Sequence, residues 1–428
     1  MGLSRINGIN YREIDNFNYS VIKYKNLLYE CNRQKDAFAV CLIDISNFKN
    51  YNYIYGYGFG NSILNKVYMK INSCIAQNGY VVRFGGDIFM VILNKIDMKD
   101  HVIKIVTKIE NVLKNSLLIG ETQIKILVNI GISLYPQDSE NVEDILKCTE
   151  IALNYSRKKD LYSHCFFNEK MRQLVLRSAI IRQDLLNSEY ENEFTAYYQP
   201  EYDSKTMKIV GAEALLRWET NSKGIVQGKD FINIAIESGI IKDIGRVLIK
   251  KVSKQLKEIY KEGHGDMTIS INMSEKQLTE KNFFQFFKTI FIESEVHHNS
   301  IIIEIPEKML NNLDNKILSV ITQLRSSGIK IFLDDFGDQY SSINHLTKLP
   351  IDGIKVDAKL IYEEEQEEKG KLVFENIMKM ANQLGIEVWA KGIQKKSQLK
   401  YFSRMGCKRL QGYILSKPLD REDLMKIL

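Results

Sequence analysis

A chain of 428 residues, 44% apolar and 26% charged with a formal net charge of +6, is long enough for two or three domains with cores of their own. The balance is that of an ordinary globular protein, and no basic stripe interleaved with aromatics argues for a nucleic-acid partner. No apolar run reaches the roughly 18 residues of a membrane span, and the chain start lacks an apolar leader core. Six cysteines, at 31, 41, 74, 148, 165 and 407, show no CxxC spacing. They read as reduced thiols of a cytoplasmic protein rather than a disulfide framework or a zinc knuckle.

In chain order, residues 38–45 predict a strand with Asp44 near its end. A loop punctuated by Gly56, Gly58 and Gly60 follows, then a helix to about Ile75. Residues 80–93 predict two strands joined at Gly85-Gly86, since paired glycines between apolar runs mark a hairpin. A helix near 98–115, a long strand at 123–135 and a helix at 143–158 complete an α+β unit with helices on one face of a mainly antiparallel sheet. Chemically, a Gly-Gly tip lets the backbone approach a phosphate, and Asp44 with Asp87 could hold Mg²⁺ on it.

This first segment resembles the GGDEF family of diguanylate cyclases. The resemblance rests on Ile6-Asn-Gly-Ile9, on Asp44-Ile-Ser-Asn-Phe-Lys49 and on Gly85-Gly-Asp-Ile-Phe89 in place of GGDEF. It implies a site at Asp44, Asn52, Gly85, Gly86, Asp87 and Arg157, with Asn52 on guanine and Arg157 on phosphate. The departures argue against cyclisation. Ile88 stands where the family has its signature Glu, Ser46 replaces an Asp, and Asn61 replaces a guanine-reading Asp. The inhibitory RxxD would fall at Ala76 and Gly79, so it is absent. GTP binding or a purely structural, dimerising role are the readings left.

Residues 168–192 carry the helical pattern Met171, Leu174, Leu176, Ile180, Ile181, Leu185, Leu186, which predicts a connecting helix. The division expected is 1–165, a connector at 166–190, and a second domain at 191–428. Strands near 195–199, 208–216, 268–273, 301–305, 329–334, 352–356, 386–390 and 408–411 predict a β/α barrel. Polar groups end the apolar strands: Glu213, Asn272, Glu304, the pair Asp334 and Asp335, and Lys355. A barrel gathers such residues at one mouth. Carboxylates with an amide make a hard oxygen set for Mg²⁺ or Mn²⁺. That set suits phosphodiester hydrolysis, with Lys355 near the attacked phosphate.

These residues resemble the EAL family of cyclic di-GMP phosphodiesterases, over about 190–428. The matching runs are Tyr198-Gln-Pro200, Glu213-Ala-Leu-Leu-Arg-Trp218, Ile271-Asn-Met-Ser274 and Glu304-Ile-Pro-Glu307. Asp334-Asp-Phe-Gly337, Ser341-Ser342, Leu349–Asp357, Gln411-Gly-Tyr413 and Lys417-Pro418 continue them. The resemblance implies a TIM-like barrel with metal ligands Glu213, Asn272, Glu304, Asp334 and Asp335. Lys355 would assist catalysis, Glu307 would hold the loop after Asp335, and Gln199, Arg217 and Gln411 would contact ligand. It also suggests a homodimer through the barrel.

One position breaks the pattern. Lys391, in Ala390-Lys-Gly-Ile-Gln394, stands where the family has a Glu that helps ligate the second metal. An ammonium about 4 Å from a divalent ion at an effective dielectric of ~20 is repelled by roughly 8 kcal/mol. Such a lysine would have to lose its proton or swing outward, and the missing ligand stays missing. Asp338-Gln339 in place of Thr-Gly and Asn233 in place of Pro are further departures. The leading expectation is a receptor that binds cyclic di-GMP, or GTP, with one Mg²⁺ or Mn²⁺ at most. The alternatives are an active phosphodiesterase producing pGpG and a pure interaction module.

Overall fold

The computed structural model describes residues 37–75, 78–94, 96, 98–158, 164–220, 224–312, 314–337, 349–362 and 367–428, together with Asn26 and Tyr29. The motif at Ile6–Ile9, the position Ala76, and the residues Asp338, Gln339, Ser341 and Ser342 lie outside them. The chain divides into two compact units, Met1–Ala179 and Ile180–Leu428. The division falls within the helix Glu169–Asn187. Of its apolar residues, Met171, Ile181 and Leu185 are buried, whereas Leu174, Leu176, Ile180 and Leu186 are exposed.

The first unit is a five-stranded sheet in the order β2-β3-β1-β6-β7. Its strands are β1 (Phe38–Ile45), β2 (Gly79–Gly85), β3 (Ile88–Asn94), β6 (Val128–Tyr135) and β7 (His164–Phe166). All neighbours pair antiparallel except β6 with β7. The expectation of helices on one face is overturned, because every residue of β1 is buried. Alternation sends Ala39, Cys41, Ile43 and Ile45 into a core with the helices Tyr57–Ile75 and Lys99–Lys114. Phe38, Val40 and Leu42 face the helix Val142–Lys158 instead.

Two local expectations also change. The glycine-rich loop is helical, Phe48–Tyr55 running into Tyr57–Ile75. Gly60 is needed inside the second helix because a Cβ there would lie 1.9 Å from the Asn52 side-chain oxygen. The long strand at 123–135 is two elements: β5 (Thr122–Ile124) pairs with β4 (Leu117–Ile119), and β6 starts afresh at Val128.

The second unit is a closed barrel of eight strands. They are β8 (Phe194–Asp203), β9 (Ile209–Thr220), β11 (Thr268–Asn272), β12 (Ile301–Pro306), β13 (Lys330–Asp334), β14 (Gly353–Asp357), β15 (Glu387–Lys391) and β16 (Arg409–Leu410). Strands β9 and β11 to β16 run parallel, while β8 closes the ring antiparallel to both β9 and β16. A ninth strand, β10 (Gly224–Gln227), pairs with β9 outside the ring.

Strand alternation builds the barrel interior in layers. Ile302, Phe332 and Trp389 form an apolar plug, with the Phe332 and Trp389 rings 4.2 Å apart. Two residues further along each strand come Glu304, Asp334 and Lys391. Gly353 makes room for the plug, since a Cβ there would meet the Phe332 ring at 2.1 Å. Gly353→Ala is therefore expected to cost about 1–3 kcal/mol through overpacking. A urea titration followed by tryptophan fluorescence reads this directly, because the chain's two tryptophans, Trp218 and Trp389, both lie in the barrel. An unshifted midpoint would refute the packing argument.

Candidate functional site

The barrel mouth is the layer above the plug. Glu213 on β9 is buried and accepts from Asn272 Nδ2 at 2.7 Å and Gln411 Nε2 at 2.9 Å. Gln199 stands directly across from Glu213 on β8 and donates to the Ser416 carbonyl at 3.3 Å. Glu304, wholly buried, is ion-paired to Lys355. Arg217 lies on the Glu213 face of β9, four residues on, with its guanidinium 5.5 Å from the Tyr197 ring. Seven polar residues anticipated from the sequence thus come to one end of the barrel.

Asp334 and Asp335 follow each other in sequence and would point to opposite faces of a regular strand. Asp335 has φ +54°, a left-handed conformation that breaks the alternation. Both carboxylates then reach the same partner. Lys391 Nζ lies 2.6 Å from Asp334 Oδ1 and 2.5 Å from Asp335 Oδ1. The turn after them is fixed by Gly337 N donating to Glu307 Oε2 at 2.9 Å and Phe336 N donating to the Lys355 carbonyl at 3.0 Å.

The electrostatics follow from these contacts. Burial pushes Lys391 down, but Asp334, Glu213 and Asp335 outweigh it and hold the ammonium well above the usual lysine range. Burial pushes Lys355 down too, but Glu201 and then Glu304 outweigh it and hold the ammonium charged. Neither escape open to the lysine is taken: Lys391 keeps its proton and stays inward. Burial raises the Glu213 carboxyl, yet Lys355 and Lys391 bring it below the usual range. Burial raises Asp334 in spite of Lys391. Glu304 is pushed up to about 8 by burial, against the pull of Lys355.

The Glu304 shift has a testable sign. A carboxyl whose folded pKa exceeds its unfolded value near 4.5 adds stability at low pH that is lost as pH rises through the folded value. The barrel's urea midpoint is therefore expected to fall between about pH 5 and about pH 9, and Glu304→Gln to flatten that fall. An identical slope in the variant would refute it.

Sequence reasoning missed the layer beneath. Glu201, 1% exposed, takes Lys355 Nζ at 2.6 Å and Arg409 Nη1 at 3.0 Å. Arg409 also donates to Thr268 Oγ1 at 2.6 Å and covers the Trp389 ring at 4.3 Å. Gly211 leaves space for this pair, since a Cβ there would meet Arg409 Nη1 at 2.4 Å. The signal was present: Glu201 lies two residues from Gln199 and Arg409 two from Gln411, so each shares its neighbour's face. Ending the first strand at 199 hid it.

The residues expected to hold metal do not fit one as they stand. Among the described residues no three His, Cys, Asp or Glu side chains converge to hold an ion. The Asp334–Asp335 couplet is engaged by Lys391, Glu304 by Lys355, and Glu213 by two amides.

In the first unit the alternation of β1 turns Asp44 toward the helix Val142–Lys158. Arg157 Nη2 and Nε donate to its two oxygens at 2.6 and 2.9 Å. Burial and Asp44 raise the neighbouring Asp87 carboxyl. Ile88 sits in register opposite Asp44. Strand β2 ends at Gly85 and β3 starts at Ile88, so the turn residues are Gly86, with φ +54°, and Asp87. Asn52 packs against Gly60.

Comparison with known proteins places this geometry. The model of the EAL domain matches residues 181–418, more than half of the chain. The chain belongs to the EAL domain family. Ahead of the EAL barrel, residues 14–161 match the diguanylate cyclase GGDEF domain. A bifunctional diguanylate cyclase/cyclic di-GMP phosphodiesterase, MucR of Pseudomonas aeruginosa, is 25% identical over 92% of this chain and 57% of its own length. The cyclic di-GMP phosphodiesterase PdeR of Escherichia coli is 27% identical over 89% of this chain and 57% of its own. The signaling protein YkoW of Bacillus subtilis is 28% identical over 91% and 49%. The chain thus spans about half the length of these curated relatives. A solved MucR phosphodiesterase in complex with cyclic di-GMP is 26% identical with a TM-score of 0.54, over 57% of this chain and 99% of that one. A LapD S helix-GGDEF-EAL structure from Vibrio cholerae, bound to cyclic di-GMP, shares the fold over 95% of this chain and 96% of that one, with a TM-score of 0.59 at 15% identity. No described helix is long and apolar enough to cross a membrane.

Proposed function

We propose that this chain is a receptor for cyclic di-GMP whose EAL barrel captures the nucleotide and does not turn it over at a useful rate. One observation carries the reading: the Lys391 ammonium is ion-paired to both Asp334 and Asp335. A water-activating cation bridging the two aspartates would need that space and both carboxylates. The ligand class follows from the similarity to the MucR phosphodiesterase in its cyclic di-GMP complex. The residues offered to the ligand are Arg217, Gln199 and Gln411. In the GGDEF domain Arg157 is spent on Asp44 and Ile88 faces it, so we assign that domain a regulatory, guanine-nucleotide-binding or dimerising role without cyclisation. The alternative, a slow phosphodiesterase, is favoured by the convergence of Glu213, Glu304, Asp334 and Lys355 at one mouth.

Incubation of the chain with cyclic di-GMP and Mn²⁺, with chromatography for linear pGpG, decides between them. Calorimetric binding without pGpG supports the receptor, and steady pGpG production refutes it. No heat at high micromolar nucleotide leaves only an interaction module.

A further inference from the structure

We infer that Lys391 is a resident counterion that takes the place of a divalent cation in the EAL barrel, beside a fixed Lys355, so that the mouth binds its nucleotide without metal. The nucleotide part rests on the receptor reading above; the metal part stands independently.

Four carboxylates face the mouth, each within reach of a cation or an amide, although Glu304 Oε1 and Oε2 and Asp334 Oδ1 make no hydrogen bond. Asp334 and Asp335 share Lys391 at 2.6 and 2.5 Å. Glu304 has Lys355, and Glu213 has the Asn272 and Gln411 amides. A divalent ion at the aspartate couplet would have to expel an ammonium from a pocket where its side chain is only 17% exposed. The strand that carries Lys391 is itself held in place at the backbone. The Lys391 carbonyl accepts from Ala358 N at 2.9 Å, and the Ala390 carbonyl accepts from Gln411 N at 2.9 Å. Lys355 cannot move upward to make way without leaving Glu201, which holds it at 2.6 Å from the layer below. The Glu201–Arg409 pair thus holds Lys355, while Lys391 is held by the aspartates from a strand fixed by β-sheet bonding. An ammonium has three donors. Lys391 is ion-paired to both aspartates and can still turn a donor to a phosphate oxygen, which is the role a bound metal would otherwise fill.

The test titrates Mn²⁺ alone into the full chain, with free Mn²⁺ read by electron paramagnetic resonance, for wild type, Lys391→Met and Lys391→Glu. Wild type is expected to show no uptake in the micromolar range, and Lys391→Glu to bind at least about tenfold more tightly. Wild-type uptake as tight as that of Lys391→Glu would overturn the inference, whether or not the methionine variant folds. A second arm measures cyclic di-GMP affinity in EDTA and in Mn²⁺. Wild-type affinity is expected to agree within about twofold between buffers. Lys391→Met is expected to weaken about tenfold or more in EDTA and to recover with Mn²⁺. Wild-type binding that requires Mn²⁺ overturns the inference and leaves the receptor reading standing. Absence of nucleotide binding in both buffers overturns the receptor reading, and the Mn²⁺ titration alone then decides the counterion.

Discussion

Lys391→Glu is expected to raise Mn²⁺-dependent conversion of cyclic di-GMP to pGpG by about 100-fold or more, the effect of some 2.7 kcal/mol on the barrier. The substitution removes an ammonium that engages both aspartates and supplies a further carboxylate at the same place. Repulsion of roughly 8 kcal/mol between a lysine and a divalent ion, at about 4 Å and an effective dielectric of ~20, leaves ample margin over the gain expected. The same variant should be fragile without metal. It leaves Asp334 without a cation in a nearly buried site, and breaking a buried pair of this kind costs about 3–5 kcal/mol, whereas solvent relieves the half-exposed Asp335. Divalent ions should restore the loss by binding only the folded state. Assay of pGpG and a urea titration with and without Mn²⁺ check both halves. A folded variant that remains inert with Mn²⁺ would mean that Lys391 is not what limits hydrolysis.

Glu201→Leu is expected to cost about 3–5 kcal/mol of barrel stability. Glu201 makes no contact expected of a catalytic group; it is the anion between Lys355 and Arg409 in the layer beneath the mouth. Its removal leaves Arg409 confined between Trp389 and Thr268 with no carboxylate. Lys355 keeps only Glu304. Adding Arg409→Met should recover part of the loss, with a coupling of about 1–3 kcal/mol for groups in direct contact. Tryptophan fluorescence during urea unfolding measures the single and double variants. A loss below about 1 kcal/mol for Glu201→Leu would show that solvent relieves the stranded charges.

Much of this site was legible in the primary structure because strand alternation and barrel geometry are simple. An apolar run ending in a carboxylate, repeated on successive strands, can only deliver those carboxylates to one rim. Glu213, Glu304, Asp334 and Lys355 were placed at the mouth that way. Glu201 was missed, because the first strand continues through Glu201 to Asp203 and runs antiparallel to its neighbours, and without Glu201 its partner Arg409, inside the expected strand 408–411, carried no signal. A strand reversed in the ring puts its earlier residue at the mouth and its later one below, the opposite of the other seven. The first domain shows the same limit. Both faces of β1 are covered, so the one-sided sheet expected from the order of elements gave way to helices on each side.

The amino-acid sequence alone determined which chemistry is present: the carboxylates at strand ends, the isoleucine at position 88, the lysine at position 391, and the order of two domains. Those are matters of residue type and short-range periodicity, which the chain carries locally. Only the tertiary structure decided what the charges do with one another. Whether Lys391 sheds its proton, swings outward or settles on the aspartates depends on the left-handed turn at Asp335 and on burial of the pair. So does the pinning of Lys355 from below. Coulomb interactions between residues far apart in sequence are set by distances and burial, and the fold alone supplies those.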